Sequence, residues 1–116
     1  MDINFFIKNS YEISKLITKN YSTSFSLATS LLDSEKRKAI YAIYGFVRLC
    51  DEIVDSFAGY NQQYLLDDLK EDLYYAINNN IHTNPIILSF VDTVRKFNIK
   101  HEHIEAFIKS MEADLS

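Results

Sequence analysis

An arginine and three carboxylates close an otherwise apolar stretch of the chain, Arg48-Leu49-Cys50-Asp51-Glu52-Ile53-Val54-Asp55, which follows Ala39-Ile40-Tyr41-Ala42-Ile43-Tyr44-Gly45-Phe46-Val47. Charge set among apolar side chains is costly unless it is paired or holds a metal. With Tyr44 as origin of a helical wheel, Arg48, Asp51 and Asp55 fall at roughly 40°, 340° and 20°. These four side chains therefore leave the helix as one narrow stripe, with Glu52 at its edge. Phe46, Val47, Leu49, Cys50, Ile53 and Val54 fill the rest of the circumference, so the helix is expected to be central in a bundle with its polar stripe facing a cavity. One chemistry for the stripe is an intrahelical salt-bridge set, Arg48 with Glu52 and with Asp51, worth only a few tenths of a kcal/mol (~0.2–0.5 per pair). The other is metal binding. Asp51 and Asp55 are hard oxygen ligands one turn apart, and Mg²⁺ binds such carboxylates while keeping waters and sharing phosphate oxygens. Three carboxylates against one arginine, at a helix end where the dipole disfavours negative charge, weaken the salt-bridge reading and leave metal binding open beside it.

The elements that must position this stripe read as helix after helix, with no repeat, low-complexity run or linker. Asn4 to Lys19 carries Phe5, Phe6, Ile7, Ile13, Leu16 and Ile17 in an imperfect helical pattern. Ser22 to Leu32 forms a short helix or turn-helix, with hydroxyls on one side and Phe25, Leu27 and Leu31 available for packing. Asp33 or Ser34 caps the next helix, Glu35 sits in its favourable first turn, and it runs to about Asp55. Ser56 to Tyr60, with Gly59, is a loop. Asn61 to about Asn79 is amphipathic through Leu65, Leu66, Leu69, Leu73, Ala76 and Ile77. Pro85 suits the first turn of a helix reaching about Phe97. A last helix starts between Lys100 and His103 and has no terminator before Ser116, so the sequence reads as interrupted inside or just after an element.

Several of these segments resemble the start of the squalene/phytoene synthases. They are Tyr21-Ser22-Thr23-Ser24-Phe25-Ser26-Leu27-Ala28, Leu31-Leu32, Lys36-Arg37-Lys38-Ala39-Ile40-Tyr41-Ala42-Ile43-Tyr44 and Arg48 to Asp55, in matching order and spacing. Ser110-Met111-Glu112-Ala113-Asp114-Leu115 is similar to the bacterial phytoene synthase pattern at the corresponding place. The resemblance implies an all-α isoprenoid-synthase fold, of which 1–116 would be the N-terminal portion as one helical region. It implies head-to-head condensation of two prenyl diphosphates, with geranylgeranyl diphosphate to phytoene favoured and a squalene- or dehydrosqualene-type product as the alternative. One diphosphate ionises with the help of Mg²⁺. The second substrate captures the allylic cation in a cyclopropyl intermediate, which rearranges after losing its own diphosphate. Position by position, Asp51 and Asp55 would be the first aspartate-rich motif and bind Mg²⁺, and Arg48 would contact diphosphate. Ser22 and Ser24 match hydroxyls near the diphosphate end, while Phe25 and Tyr44 match positions lining the substrate cavity. The sequence departs from the family at Thr23, where some relatives have a basic residue. It also does not reach the second aspartate-rich helix. The chain alone is therefore expected to be catalytically silent, either as a fragment or as a non-catalytic homologue serving as a helical binding or assembly partner.

Bulk composition narrows the partners. The chain has 116 residues, 47% of them hydrophobic, with two glycines and one proline, as suits one soluble helical domain. Net charge of -4 and the lack of a basic stripe argue against nucleic acid. No targeting segment is evident and no apolar run is long enough to span a bilayer, so a cytoplasmic chain is expected, with peripheral membrane contact open. Uncovered apolar surface on an incomplete bundle is expected to drive self-association. Asp67-Asp68-Leu69-Lys70-Glu71-Asp72 reads as a solvated face, and His101-Glu102-His103 as a surface helix start, since i and i+2 point apart. Cys50, the single cysteine, falls on the apolar side and reads as inert core. Lys36-Arg37-Lys38 reads as a solvated first turn, with attraction to anionic lipid or diphosphate as the alternative.

Overall fold

Five helices, α6 excepted, begin where a short polar side chain satisfies the first free backbone N–H groups. The structure, a computed structural model, describes residues 2–115, and these form six α-helices without a strand. Asp2 accepts the Phe5 N–H at 3.0 Å and opens α1, Ile3–Tyr21. Ser22 accepts the Phe25 N–H at 3.2 Å and opens α2, Thr23–Thr29. Asp33, not Ser34, caps α3, Ser34–Ser56, through the Lys36 N–H at 3.1 Å. Asn61 caps α4, Gln62–Asn79, which ends on Asn80 in the left-handed region at φ 57°. Asn84 and Pro85 start α5, Pro85–Lys96. Asn98, also left-handed at φ 57°, separates it from α6, His101–Leu115. Gly59, at φ 94°, makes the turn between α3 and α4, a conformation that costs a residue with a Cβ far more than it costs glycine.

α3 packs against α1, α4, α5 and α6 and is central, as its composition requires. It is not covered all round, however. The fully enclosed helix is α5, in which every residue from Ile86 to Thr93 is buried. Ser89, Asp92 and Thr93 conceal this in the sequence, because their polarity mimics a solvated face. The main core joins Phe46, Cys50 and Ile53 of α3 to Leu66, Leu69 and Leu73 of α4, Ile87, Phe90 and Val91 of α5, and Ile104, Ile108 and Met111 of α6. Phe46 and Phe90 stack at its centre with ring centroids 4.2 Å apart.

Apart from Ile17, which packs against the core, and half-buried Ile7, the apolar pattern of α1 faces outward. Phe5, Phe6, Ile13 and Leu16 are exposed, while Ser10, Ser14 and Thr18 are completely buried. Size decides this inversion. A Cβ on Gly45 would stand 3.0 Å from Ser14 Oγ and 3.3 Å from Ser14 Cα, so α1 and α3 approach too closely for larger side chains. On the α5 side, Ser14 Oγ and Ser89 Oγ share a hydrogen bond of 2.8 Å. Burial of the hydroxyls costs little because each has a partner. Ser10 donates to Phe6 O, Thr18 to Ser14 O and Thr93 to Ser89 O, all at 2.9 Å.

Beside this seam, the buried Asp92 carboxylate accepts the Tyr11 hydroxyl at 2.6 Å and pairs with Arg95 at 2.7 Å and Lys96 at 3.1 Å. These contacts compensate a charge that would otherwise be expensive to bury. Burial and the bond to Asp92 push the Tyr11 phenol well above its usual range. Leu27 and Leu31, available for packing in the sequence, are exposed instead, because α2 buries Ser26 and Thr29.

The seam gives a direct expectation. Gly45→Val adds bulk where Ser14 already stands at contact, and overpacking of this kind costs about 1–3 kcal/mol. Urea unfolding followed by circular dichroism should show that loss. An unchanged midpoint would mean that the α1–α3 approach is looser than described.

Candidate active site

Tyr44, Arg48, Asp51 and Asp55 leave α3 on its open side, with Asp55 exposed and the other three half-buried. In place of the expected cavity wall, the stripe lies at the surface of the described residues. Phe25 of α2 stacks on Tyr44, with centroids 4.9 Å apart and planes 27° from parallel. α2 therefore brings Ser22, at its N-cap, and exposed Ser24 to the same end of the molecule. Ser22 Oγ already accepts the Phe25 N–H, so its hydroxyl hydrogen is left to donate outward.

Arg48 Nη2 donates to Glu52 Oε1 at 2.7 Å, the i,i+4 pair foreseen as the bland reading of the stripe. The guanidinium also lies 4.8 Å from the centre of the Tyr21 ring, a favourable cation–aromatic distance. Its Nε is buried without a hydrogen-bond partner among the described residues, so the arginine keeps unused donor capacity. Burial lowers the Arg48 pKa, but Glu52 outweighs it and the net direction is upward. The Glu52 carboxyl is held below its usual range, first by the Ser56 side chain, then by Arg48 and Tyr21 against the opposing cost of burial. Glu52, foreseen as a salt-bridge partner, and Tyr21, which had no assigned contact with it, thus set the position of the arginine.

Asp51 is pushed in the opposite direction. Burial raises its carboxyl above the usual range. Arg48 offsets part of this, while Asp55, Asp114 and Glu52 push it further up. Asp114, carried by α6, is the second acid the sequence reading missed as a site residue. It was visible only as part of Glu112-Ala113-Asp114-Leu115, far away in sequence.

The excess of negative charge around Asp51 fits a divalent cation. Among the described residues, however, no group of three or more His, Cys, Asp or Glu side chains is gathered to hold a metal. The two carboxylates of α3 thus suit an ion that completes its shell with water and phosphate oxygens, as Mg²⁺ does. The competing acids stay outside the site. Asp67, Asp68 and Glu71 of α4 are exposed, and His101 and His103 stand on the surface beside Glu105 and Glu102.

An all-helical bundle, with an aspartate pair, an arginine and stacked aromatics on one helix end, defines the class to which this chain belongs. A family model described as squalene/phytoene synthase matches residues 18–116. The chain belongs to the squalene/phytoene synthase family. It is 34% identical over 109 residues to phytoene synthase of Arthrospira platensis, covering 93% of this chain and 35% of that protein. It is 27% identical over 109 residues to 4,4'-diapophytoene synthase of Staphylococcus haemolyticus, covering 93% of this chain and 38% of that one. With phytoene synthase 1 of Zea mays it shares 29% identity over 112 residues, 94% of this chain and 27% of the maize protein. The chain therefore spans about a third of the length of these curated relatives.

Cys50 lies directly behind the stripe and is fully buried. Burial, with a contribution from Asp51, pushes its thiol from 9.0 up to about 12. Because the folded value is raised, the folded state keeps the proton that the unfolded state gives up. Its contribution is intact below pH 9.0 and is lost as pH rises from there toward about 12. Iodoacetamide at pH 8 should leave Cys50 unmodified in the native chain and alkylate it in urea, as intact mass would show. Rapid native labelling would mean that α3 is not packed as described.

Proposed function

We propose that this chain supplies the diphosphate-binding half-site of a head-to-head prenyl synthase, with geranylgeranyl diphosphate to phytoene as the favoured reaction. The observation that carries this reading is the stripe on α3, where Asp51 and Asp55 stand with Arg48 beside the Phe25–Tyr44 stack. The names of the Arthrospira and maize relatives support phytoene as product. The name of the staphylococcal relative supports a dehydrosqualene-type product as the second reading.

In this proposal Asp51 and Asp55 hold Mg²⁺, which neutralises charge on the departing diphosphate. Arg48 donates to diphosphate oxygens from the face not taken by Glu52, and the Tyr21 ring keeps the guanidinium in place. Ser22 and Ser24 donate their hydroxyl hydrogens to the same group. The faces of Phe25 and Tyr44 stabilise the positive charge that develops on the allylic carbon. The resemblance assigns one aspartate pair to this chain, Asp51 and Asp55, so we propose that 1–116 alone binds a prenyl diphosphate without turning it over. We further propose that the isolated chain self-associates through the uncovered side of α1, where Phe5, Phe6, Ile13 and Leu16 are exposed.

Calorimetric titration with geranylgeranyl diphosphate, with and without Mg²⁺, tests the half-site. Binding should require the metal. Asp51→Asn should weaken it by about tenfold or more, since an amide is a poorer ligand for a hard cation than a carboxylate, while helicity stays unchanged. Equal affinity of the variant would make these acids structural. Product formed by the 116-residue chain itself would refute the half-site.

A further inference from the structure

The side of α2 turned away from the candidate active site carries a second feature. Between α1, α2 and α3 lies an open cleft of about 460 Å³, lined by Lys15 and Lys19 of α1, Thr23 and Leu27 of α2, Ser30 beyond it, and Arg37 of α3. No carboxylate lines it. Among the described residues, Lys15, Lys19 and Arg37 take part in no ion pair. Arg37 Nη1 donates to Ser30 O at 3.5 Å, a long contact that draws the guanidinium against the end of α2. Lys36 and Lys38 are exposed, as a solvated first turn expects, while Arg37 is half-exposed and lines the cleft.

At the rim of this cleft the chain exposes leucines. Leu27 is 70% exposed, and Leu31, in the link to α3, is 87% exposed, the highest value of any large apolar residue described; Leu32 is exposed beside it. The segments around the cleft are locally basic, since residues 15–38 carry five Lys and Arg against two Asp and Glu in a chain of net charge -4. This end therefore presents cations beside exposed leucines. No helix among the described residues is long and apolar enough to cross a membrane, so this end can lie on a bilayer but not span it.

We infer that the α2 end is a docking surface for an anionic lipid bilayer, with lipid phosphates in the Lys15–Lys19–Arg37 cleft and Leu27 and Leu31 in the acyl boundary. Charge complementarity selects the occupant. Apolar side chains flanked by cations match a surface that is anionic at its headgroups and apolar just beneath. A second copy of this chain could offer acidic surface to the cations, but the apolar residues it exposes on α1, Phe5, Phe6, Ile13 and Leu16, stand among Lys8, Lys15 and Lys19 and not beneath its acids. The inference does not depend on the metal site, since none of these residues touches Asp51 or Asp55.

Co-sedimentation of the 116-residue chain with vesicles tests it. The chain should bind phosphatidylcholine vesicles containing about a third phosphatidylglycerol and bind pure phosphatidylcholine only weakly. Added salt should weaken the interaction. Lys15→Gln and Lys19→Gln should each lower partitioning about fivefold. Leu31→Ser should also lower it without altering helicity, because the side chain is exposed. Asp51→Asn should leave binding unchanged. The inference is overturned if the chain does not bind anionic vesicles, or binds neutral ones equally. It is also overturned if the lysine or Leu31 variants bind like the parent chain. Competition by millimolar inorganic diphosphate at constant ionic strength would make the cleft a small-anion site. Loss of a light-scattering dimer in Leu31→Ser without loss of vesicle binding would make the leucines a contact between copies.

Discussion

Ser14 stands at contact with Gly45 of α3 and shares a hydrogen bond with Ser89 of α5, and this three-helix approach governs the placement of everything else. The seam has no room for large apolar or aromatic side chains, so α1 must enter it with its serines and threonine. Its larger residues are then forced outward. Gly45 on the seam also fixes the rotation of α3. Tyr44 and Arg48 lie about 100° and 60° from Gly45 around the helix, so the contact of Gly45 with Ser14 of α1 sets the polar stripe on the adjoining face. The site is thus oriented by a packing constraint made of small residues, and no charged residue is needed to aim it.

Electrostatics then divides the stripe into two parts. Arg48 and Glu52 satisfy each other and shift in the directions that favour both charges. Asp51, by contrast, gains from Arg48 but is destabilised as an anion by burial and by three neighbouring acids, one of them on α6. A helix C-terminal end adds further negative potential. Such a group has two ways to relax, binding a proton or binding a cation. The α3 site therefore combines a satisfied ion pair that holds an arginine with an unsatisfied acidic centre, which is the charge pattern a metal–diphosphate complex would complement.

Much of this was legible in the sequence, for identifiable reasons. Capping residues, the asparagine stops and Pro85 located the helices closely, because each acts through local backbone chemistry. The stripe on α3 was legible because helical periodicity alone places Tyr44, Arg48, Asp51 and Asp55 together. The orientation of α1 was not, because hydrophobicity predicts burial only where space allows it, and Ser14 is buried by its size. The enclosure of α5 was hidden by Asp92, whose compensation by Tyr11, Arg95 and Lys96 is a tertiary fact. Asp114 was out of reach for the same reason: no local pattern connects α6 with Asp51. Leu27 and Leu31 looked available for packing because nothing local shows that α2 buries Ser26 and Thr29.

The central claim is that the α3 end, and no other acidic surface of this chain, is the cation site for a diphosphate. Paramagnetic broadening by Mn²⁺, standing in for Mg²⁺ with inorganic diphosphate present, addresses it residue by residue in a ¹⁵N-labelled sample. The account predicts that amide signals around Asp51, Asp55 and Asp114 disappear first, that Arg48 and Ser22 follow, and that α4 keeps its signals. Broadening centred on Asp67, Asp68 and Asp72, or spread evenly over the acidic surface, would contradict it.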